Sequence, residues 1–171
     1  LGAARLHRLP LGALVAAQRA GDPASTRSVR LADPCCFIFT SGTTGLPKAA
    51  VMTHLRWMRV GYAMGQGAMR LGADDVFYCA LPFHHNSALT VCWSAVLTAG
   101  ATLVMARKFS ASRFWDEIRA SGATAFVYIG EFCRYLLACP PAPDDRRHAV
   151  RVMVGNGLRP EVWEAYRREH E

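Results

Sequence analysis

The chain has 171 residues, 51% of them hydrophobic and only 19% charged, a balance that excludes a disordered polypeptide and allows one sizeable core. Twenty Lys and Arg against 13 Asp and Glu leave a formal charge of +7. The basic residues are scattered, and the densest pairs, Arg146-Arg147 and Arg167-Arg168, sit beside acids, which reads as a solvated surface and counts against nucleic acid.

The chain opens on Leu1, and Glu164–Glu171 reads as helix with no stop signal, so we expect an internal piece of a larger domain. Arg5 and Arg8 before Leu9–Ala17 mimic a secretion signal, a reading we set below that of an ordinary helix. Residues 9–20 look like an amphipathic helix ending at Gly21-Asp22-Pro23, and a polar connector follows from Ala24 to Pro34. Cys35–Phe39 is a short apolar run bounded by Asp33-Pro34 and a Ser/Thr/Gly cluster, which predicts a strand. Ala49–Thr53 reads as a further extended piece, and His54–Met69 as a helix.

From there strands at Val76–Ala80, Ala101–Ala106, Thr124–Ile129 and Val150–Val154 alternate with helices at Ser87–Ala99, Ser110–Ser121, Glu131–Ala138 and Pro160–Glu169. Ser110 is placed to cap its helix, Phe109 and Phe114 to form a hydrophobic staple, and Gly122 to end it. This alternation predicts an α/β fold with a mainly parallel sheet covered by helices on both faces. Val76–Ala106 is a stretch of 31 residues without Lys, Arg, Asp or Glu, long enough to span a bilayer. Gly100 divides it, however, and a buried helix plus a buried strand is the preferred reading. The six cysteines show no CxxC spacing, and all but Cys139 lie in apolar runs, which fits free thiols in a reducing cytosolic compartment. Trp57, Trp93, Trp115, Trp163 and the methionines are taken as core.

The chemistry concentrates in Thr40-Ser41-Gly42-Thr43-Thr44-Gly45-Leu46-Pro47-Lys48. Glycines let the backbone turn its amides toward a ligand, hydroxyls add donors, and Lys48 adds a mobile positive charge. The set suits a polyphosphate. It is not a Walker A loop, because Pro47 precedes the lysine and Ala49 follows it. A flexible surface turn is the alternative.

Phe39–Lys48 resembles the phosphate-loop signature of the adenylate-forming (AMP-binding) superfamily, which includes acyl-CoA synthetases, luciferases and peptide-synthetase adenylation domains. Where that signature usually ends Pro-Lys-Gly, this chain has Lys48-Ala49-Ala50, a form associated with very-long-chain acyl-CoA synthetases and fatty-acid transport proteins. Lys108–Trp115, Tyr128–Glu131 with Arg134–Leu137, and Gly155–Pro160 with Trp163 resemble the same branch. The likeness runs from about Asp33 to the end.

The resemblance implies that Thr40, Ser41, Gly42, Thr43, Thr44, Gly45 and Lys48 hold ATP phosphates, with Thr40 helping to ligate magnesium. Leu81–Asn86 resembles the superfamily's second core segment. That puts His85 at the entrance of an acyl pocket with Phe83 and Trp93, and a tunnel past Leu89 and Val127–Ile129. His84 stands where an aromatic is usual, and Asn86-Ser87-Ala88 departs from the family's small residue and glycine. Gly155, Asn156 and Gly157 match the segment against adenine and the acyl carbonyl; a plain tight turn is the alternative. Glu131 reads as a partner of Arg134 on its own helix turn.

The catalytic residues are unassigned and expected beyond Glu171, with a Tyr-Gly-x-Thr-Glu segment whose glutamate helps hold magnesium, and with the small C-terminal domain. The implied activity is activation of a long- or very-long-chain fatty acid by ATP to acyl-adenylate, then acyl-CoA, in a cytoplasmic enzyme open to peripheral membrane association. The fragment alone is expected to be inactive. The rivals are a ligase for a carnitine-like, aryl or amino acid, a non-catalytic nucleotide-binding module, and a protein spanning a membrane at residues 76–106.

Overall fold

A computed structural model describes residues 21–40, 46 and 48–170. The expected helix over 9–20, the signal-like stretch, and the loop residues Ser41–Gly45 and Pro47 lie outside them. Two units divide at residue 30. In the first, the predicted polar connector opens with a 3-10 turn, Ala24–Ser28, in which Ser28 Oγ donates to the Ser25 carbonyl at 2.8 Å.

The second unit begins with β1 (Pro34–Thr40) and β2 (Lys48–Thr53), an antiparallel pair in which Phe37 faces Val51 and Thr40 faces Lys48. Helix α1 (His54–Gly61) starts where the Thr53 hydroxyl accepts the Arg56 N–H at 3.3 Å, and it runs into a wider π-helical stretch, Tyr62–Ala68. The remaining strands are β3 (Val76–Cys79), β4 (Thr102–Met105), β5 (Ala125–Ile129) and β6 (Val152–Asn156). They form one parallel sheet in the order β4-β3-β5-β6. Between them lie α2 (Trp93–Ala99, led by the π-helical Ser87–Cys92), α3 (Phe114–Ser121), α4 (Gly130–Leu137) and finally α5 (Pro160–His170). The predicted α/β fold is the observed one.

The long uncharged stretch resolves as expected into β3, a helix and β4. Among the described residues no helix is long and apolar enough to cross a membrane.

Strand alternation sorts the core onto two faces. Tyr78 and Phe126 meet α3 on one side, where the Phe114 ring packs edge-on at 5.5 and 5.2 Å and meets Phe132 of α4 at 5.1 Å. On the other side Cys79 contacts Cys92 thiol to thiol beneath α2, beside the buried Ala88 and Ala95. Burial drives the Cys92 thiol upward and pushes Cys133 up to about 12, which keeps both protonated.

Two sequence expectations need correcting, the Ser110 cap and the tryptophans and methionines as core. Ser110 makes no side-chain cap; its hydroxyl sits 3.4 Å from Ser112 Oγ, and a 3-10 turn, Ala111–Arg113, leads into α3. The Phe109–Phe114 staple is present at 6.4 Å, but Phe109 lies closer to Phe132, at 3.9 Å. Of the tryptophans only Trp115 is buried; Trp93 is 38% exposed, and Met105, on the edge strand β4, is 62% exposed. Cys35 is also exposed, its thiol directed to the Met52 carbonyl at 3.2 Å.

At the N-terminal ends of the strands a polar clamp crosses the sheet. Asp75 accepts from Thr124 Oγ1 at 2.6 Å and from Arg151 at 2.6 and 3.1 Å. The same guanidinium donates to the Met69 and Arg70 carbonyls, both at 3.0 Å. The arginine and these hydrogen bonds hold the Asp75 carboxyl down at about 2.

Candidate functional site

The C-terminal ends of β3, β5 and β6 face the same way, and in an open parallel sheet that rim is where ligands bind. After β3 the chain turns through Leu81–Asn86, closed by the His85 N–H donating to the Pro82 carbonyl at 2.9 Å. The Ser87 N–H donates to His85 Nδ1 at 3.2 Å. That makes Nδ1 the acceptor, so in the neutral ring Nε2 holds the proton and is a donor on an exposed side chain. His84 and Asn86 are exposed too, and Phe83 packs edge-on to Trp93 at 5.8 Å. Phe83 and Trp93, two of the predicted acyl-pocket residues, therefore touch, and His85 stands on the same loop. Val127 is buried at 1% exposure and lends no open wall.

The β5 and β6 ends approach each other as bare backbone. Tyr128 pairs with Gly155 and Ile129 with Asn156, so the predicted Gly155-Asn156 turn is the last of β6, and only Gly157 leaves the strand, at φ +73°. A Cβ on Gly155 would stand 2.2 Å from the Tyr128 carbonyl oxygen, and one on Gly130 only 1.8 Å from that of Gly157. No side chain fits at either position. Gly130 was not singled out from the sequence. Its signal was a glycine between an apolar strand and a helix start, and its partner lies 27 positions away. A cleft of about 310 Å³ opens here, lined by Gly130, Gly157, Arg159 and Glu161. Glu131 is paired with Arg134 (Nε to Oε2 2.8 Å) on the surface, the arrangement the sequence suggested.

A larger cleft, about 480 Å³, lies over the ends of β3, β4 and β5. Leu81, Phe83, Phe109, Ile129, Phe132 and Tyr135 line it, with Arg107 and Lys108 at its edge.

Thr40 and Lys48 are the last and first residues of the β1–β2 pair, both exposed, with Thr40 Oγ1 3.4 Å from the Lys48 carbonyl. They fix the two ends of the predicted phosphate loop close together; Ser41, Gly42, Thr43, Thr44 and Gly45 lie outside the described residues. Thr40 offers a magnesium ion one neutral hydroxyl. Among the described residues no cluster of three or more His, Cys, Asp or Glu is placed to hold a metal.

Residues 6–171 match the AMP-binding enzyme family, and the chain belongs to it. It is 56% identical over 147 residues to the medium/long-chain-fatty-acid--CoA ligase FadD6 of Mycobacterium tuberculosis, covering 86% of this chain and 25% of that protein. It is 48% identical over 134 residues to human long-chain fatty acid transport protein 1, covering 78% of this chain and 21% of the other. The chain thus spans about a quarter of the length of the curated relatives it matches. Among solved structures, the inhibitor-bound N-terminal domain of FACL13 from Mycobacterium tuberculosis superposes with a TM-score of 0.74 at 22% identity, over 92% of this chain and 39% of that one. ATP-bound MatB from Rhodopseudomonas palustris superposes at 0.68 and 23% identity, over 82% and 28%. These last two likenesses establish the fold.

Proposed function

We propose that this chain is part of the large N-terminal domain of an enzyme that activates a long-chain fatty acid with ATP, forming an acyl-adenylate and then an acyl-CoA. The observation that carries this reading is the 56% identity to a fatty-acid–CoA ligase, spread over a chain whose strand ends form the crevice described above. Thr40–Gly45 and Lys48 hold the β- and γ-phosphates while the acid's carboxylate attacks the α-phosphorus and pyrophosphate leaves. Their part is to organise charge, since little covalent work falls to the protein in phosphoryl chemistry. Magnesium, when bound, neutralises phosphate charge, with Thr40 as one of its oxygen ligands.

Gly155, Asn156 and Gly157 lie along the adenine and the acyl carbonyl. The position of these residues at the C-terminal end of β6, on the rim where open parallel sheets bind ligands, supports this placement. His85, Phe83 and Trp93 flank the acyl entrance, where the His85 Nε2–H is free to donate to a carboxylate or carbonyl oxygen. CoA is the acceptor of the second step, and the site of action is the cytoplasm with peripheral contact to lipid.

The test is ATP–pyrophosphate exchange by the intact protein. Exchange is expected with C12–C20 acids, and Lys48→Ala is expected to slow it by about a hundredfold, the scale of removing one positioned charge from a transition state. Exchange with aryl or amino acids but not with fatty acids moves the assignment to another acid. Exchange with none, in a protein that still binds ATP, makes it a nucleotide-binding module.

A further inference from the structure

We infer that Trp57 is a positioning residue for the acyl entrance: from α1, its indole sets the place of Phe83 and His85. The inference rests on the reading of Leu81–Asn86 as that entrance, and it names a residue outside the motifs that suggested the reading.

Two hydrogen bonds lead from the indole to His85. The Trp57 Nε1–H donates to the Leu89 carbonyl at 3.0 Å, across 32 positions of sequence, and the Leu89 N–H donates to the His85 carbonyl at 3.0 Å. Leu89 is thus held at both of its backbone groups. It lies in the first turn of the π-helical Ser87–Cys92, which has no side-chain cap of its own. Ring contacts run the same way. Trp57 meets Trp93 edge-on at 5.8 Å and 84°, and Trp93 meets Phe83 at 5.8 Å and 63°. Apolar filling asks only for bulk at position 57. An indole adds a donor, and here that donor goes to the residue whose N–H closes the turn after His85.

The base from which Trp57 acts is firm. Helix α1 starts at the Thr53 cap and ends at Gly61, where an added Cβ would stand 2.6 Å from the Ser94 carbonyl oxygen of α2. The two helices therefore meet backbone to backbone, and close packing of this kind leaves α1 little freedom to shift. Strand β2 runs straight into α1, so one continuous piece has Lys48 at its start and Trp57 in its first helical turn. The lysine of the proposed phosphate loop and the acyl entrance thus take their positions from the same element.

The test is ATP–pyrophosphate exchange by the intact protein carrying Trp57→Phe, which keeps a ring and removes the N–H. The Leu89 carbonyl then loses its partner, and the KM for palmitate is expected to rise about tenfold, the scale of one such unpaired group. The KM for ATP is expected to stay within about twofold, because the lysine end of the piece is untouched. A residue that only fills space would lower the amount of active enzyme and leave both KM values where they were. An unchanged KM for palmitate, or both KM values rising together, overturns the proposal. If Trp57→Phe does not fold, benzothienylalanine at position 57, with the shape of tryptophan and no N–H, takes its place. Absence of exchange with any fatty acid in the unmodified protein strikes instead at the reading of the entrance. The NMR signals of the His85 ring then decide, since they shift on loss of the N–H if Trp57 positions that loop and stay in place if it does not.

Discussion

The two ends of the parallel sheet are built on opposite principles. At the N-terminal ends, Asp75, Thr124 and Arg151 tie β3, β5 and β6 together with hydrogen bonds between charged and polar side chains, and the guanidinium also satisfies two carbonyls of the segment before β3. At the C-terminal ends side chains withdraw: Gly130 and Gly155 bring backbone against backbone, and His84, His85 and Asn86 stand exposed. One end is closed by specific pairs. The other is kept open, with its shape set by the absence of Cβ atoms. The two rims are thus built from different contacts, side-chain pairs at one and close backbone packing at the other.

The sharpest break of that division is Gly130→Ala. The new methyl would fall 1.8 Å from the Gly157 carbonyl oxygen, a backbone atom that no rotamer change can move. We expect about 3 kcal/mol of destabilisation from such overpacking and loss of adenylation in whatever protein folds, read by chemical denaturation and pyrophosphate exchange. Near-normal activity would mean that the β5 and β6 ends are not held together as described.

The opposite rim has a milder and pH-dependent signature. The Asp75 carboxyl is held at about 2, below its ordinary 3.8, first by its hydrogen bonds to Arg151. A lowered native pKa stabilises the fold wherever the carboxyl is ionised in both states, and that contribution is lost as pH falls from about 4 toward 2. With Arg151 42% exposed and screened by solvent, the gain at neutral pH is about 1–2 kcal/mol. Asp75→Asn is expected to lower stability by that amount at pH 7 and to flatten its dependence between pH 4 and pH 2. Adenylation per folded molecule should stay unchanged, because the clamp lies at the far rim.

The same division explains what the sequence revealed. The β-α alternation was readable because apolar runs of four or five residues separated by helix-length segments leave few other folds, and Gly122 ends α3 in the left-handed conformation as its position suggested. The proposed phosphate loop and the Gly155–Gly157 segment could be singled out because their residue types are locally unusual. Contacts made by distant partners were hidden. Gly130 is informative only once Gly157 is known to lie above it. Ser110 has the chemistry of a cap but enters a 3-10 turn that gives its hydroxyl another neighbour. Trp93 looked like core by composition, yet it sits on a helix side that turns one face outward, reaching Phe83 and Trp57 edge-on at 5.8 Å in both cases. Burial of a large ring depends on which side of a helix the next element covers, and nothing in its own neighbourhood records that.

The smallest expected effect is also the one that tests how far the functional rim extends. Glu131 opens α4 immediately after Gly130, close enough to the crevice to pass for an acid in the chemistry. Its carboxylate instead accepts from Arg134 one turn along, and both side chains are more than half exposed, at 57% and 61%. Such a surface pair is worth under about 0.5 kcal/mol. Glu131→Gln keeps the shape and removes the charge, so it should leave both the unfolding midpoint and the rate of pyrophosphate exchange within about twofold of the unmodified protein. A hundredfold fall in exchange would instead place Glu131 among the reacting groups and extend the chemical rim one helix turn further than its ion pair suggests.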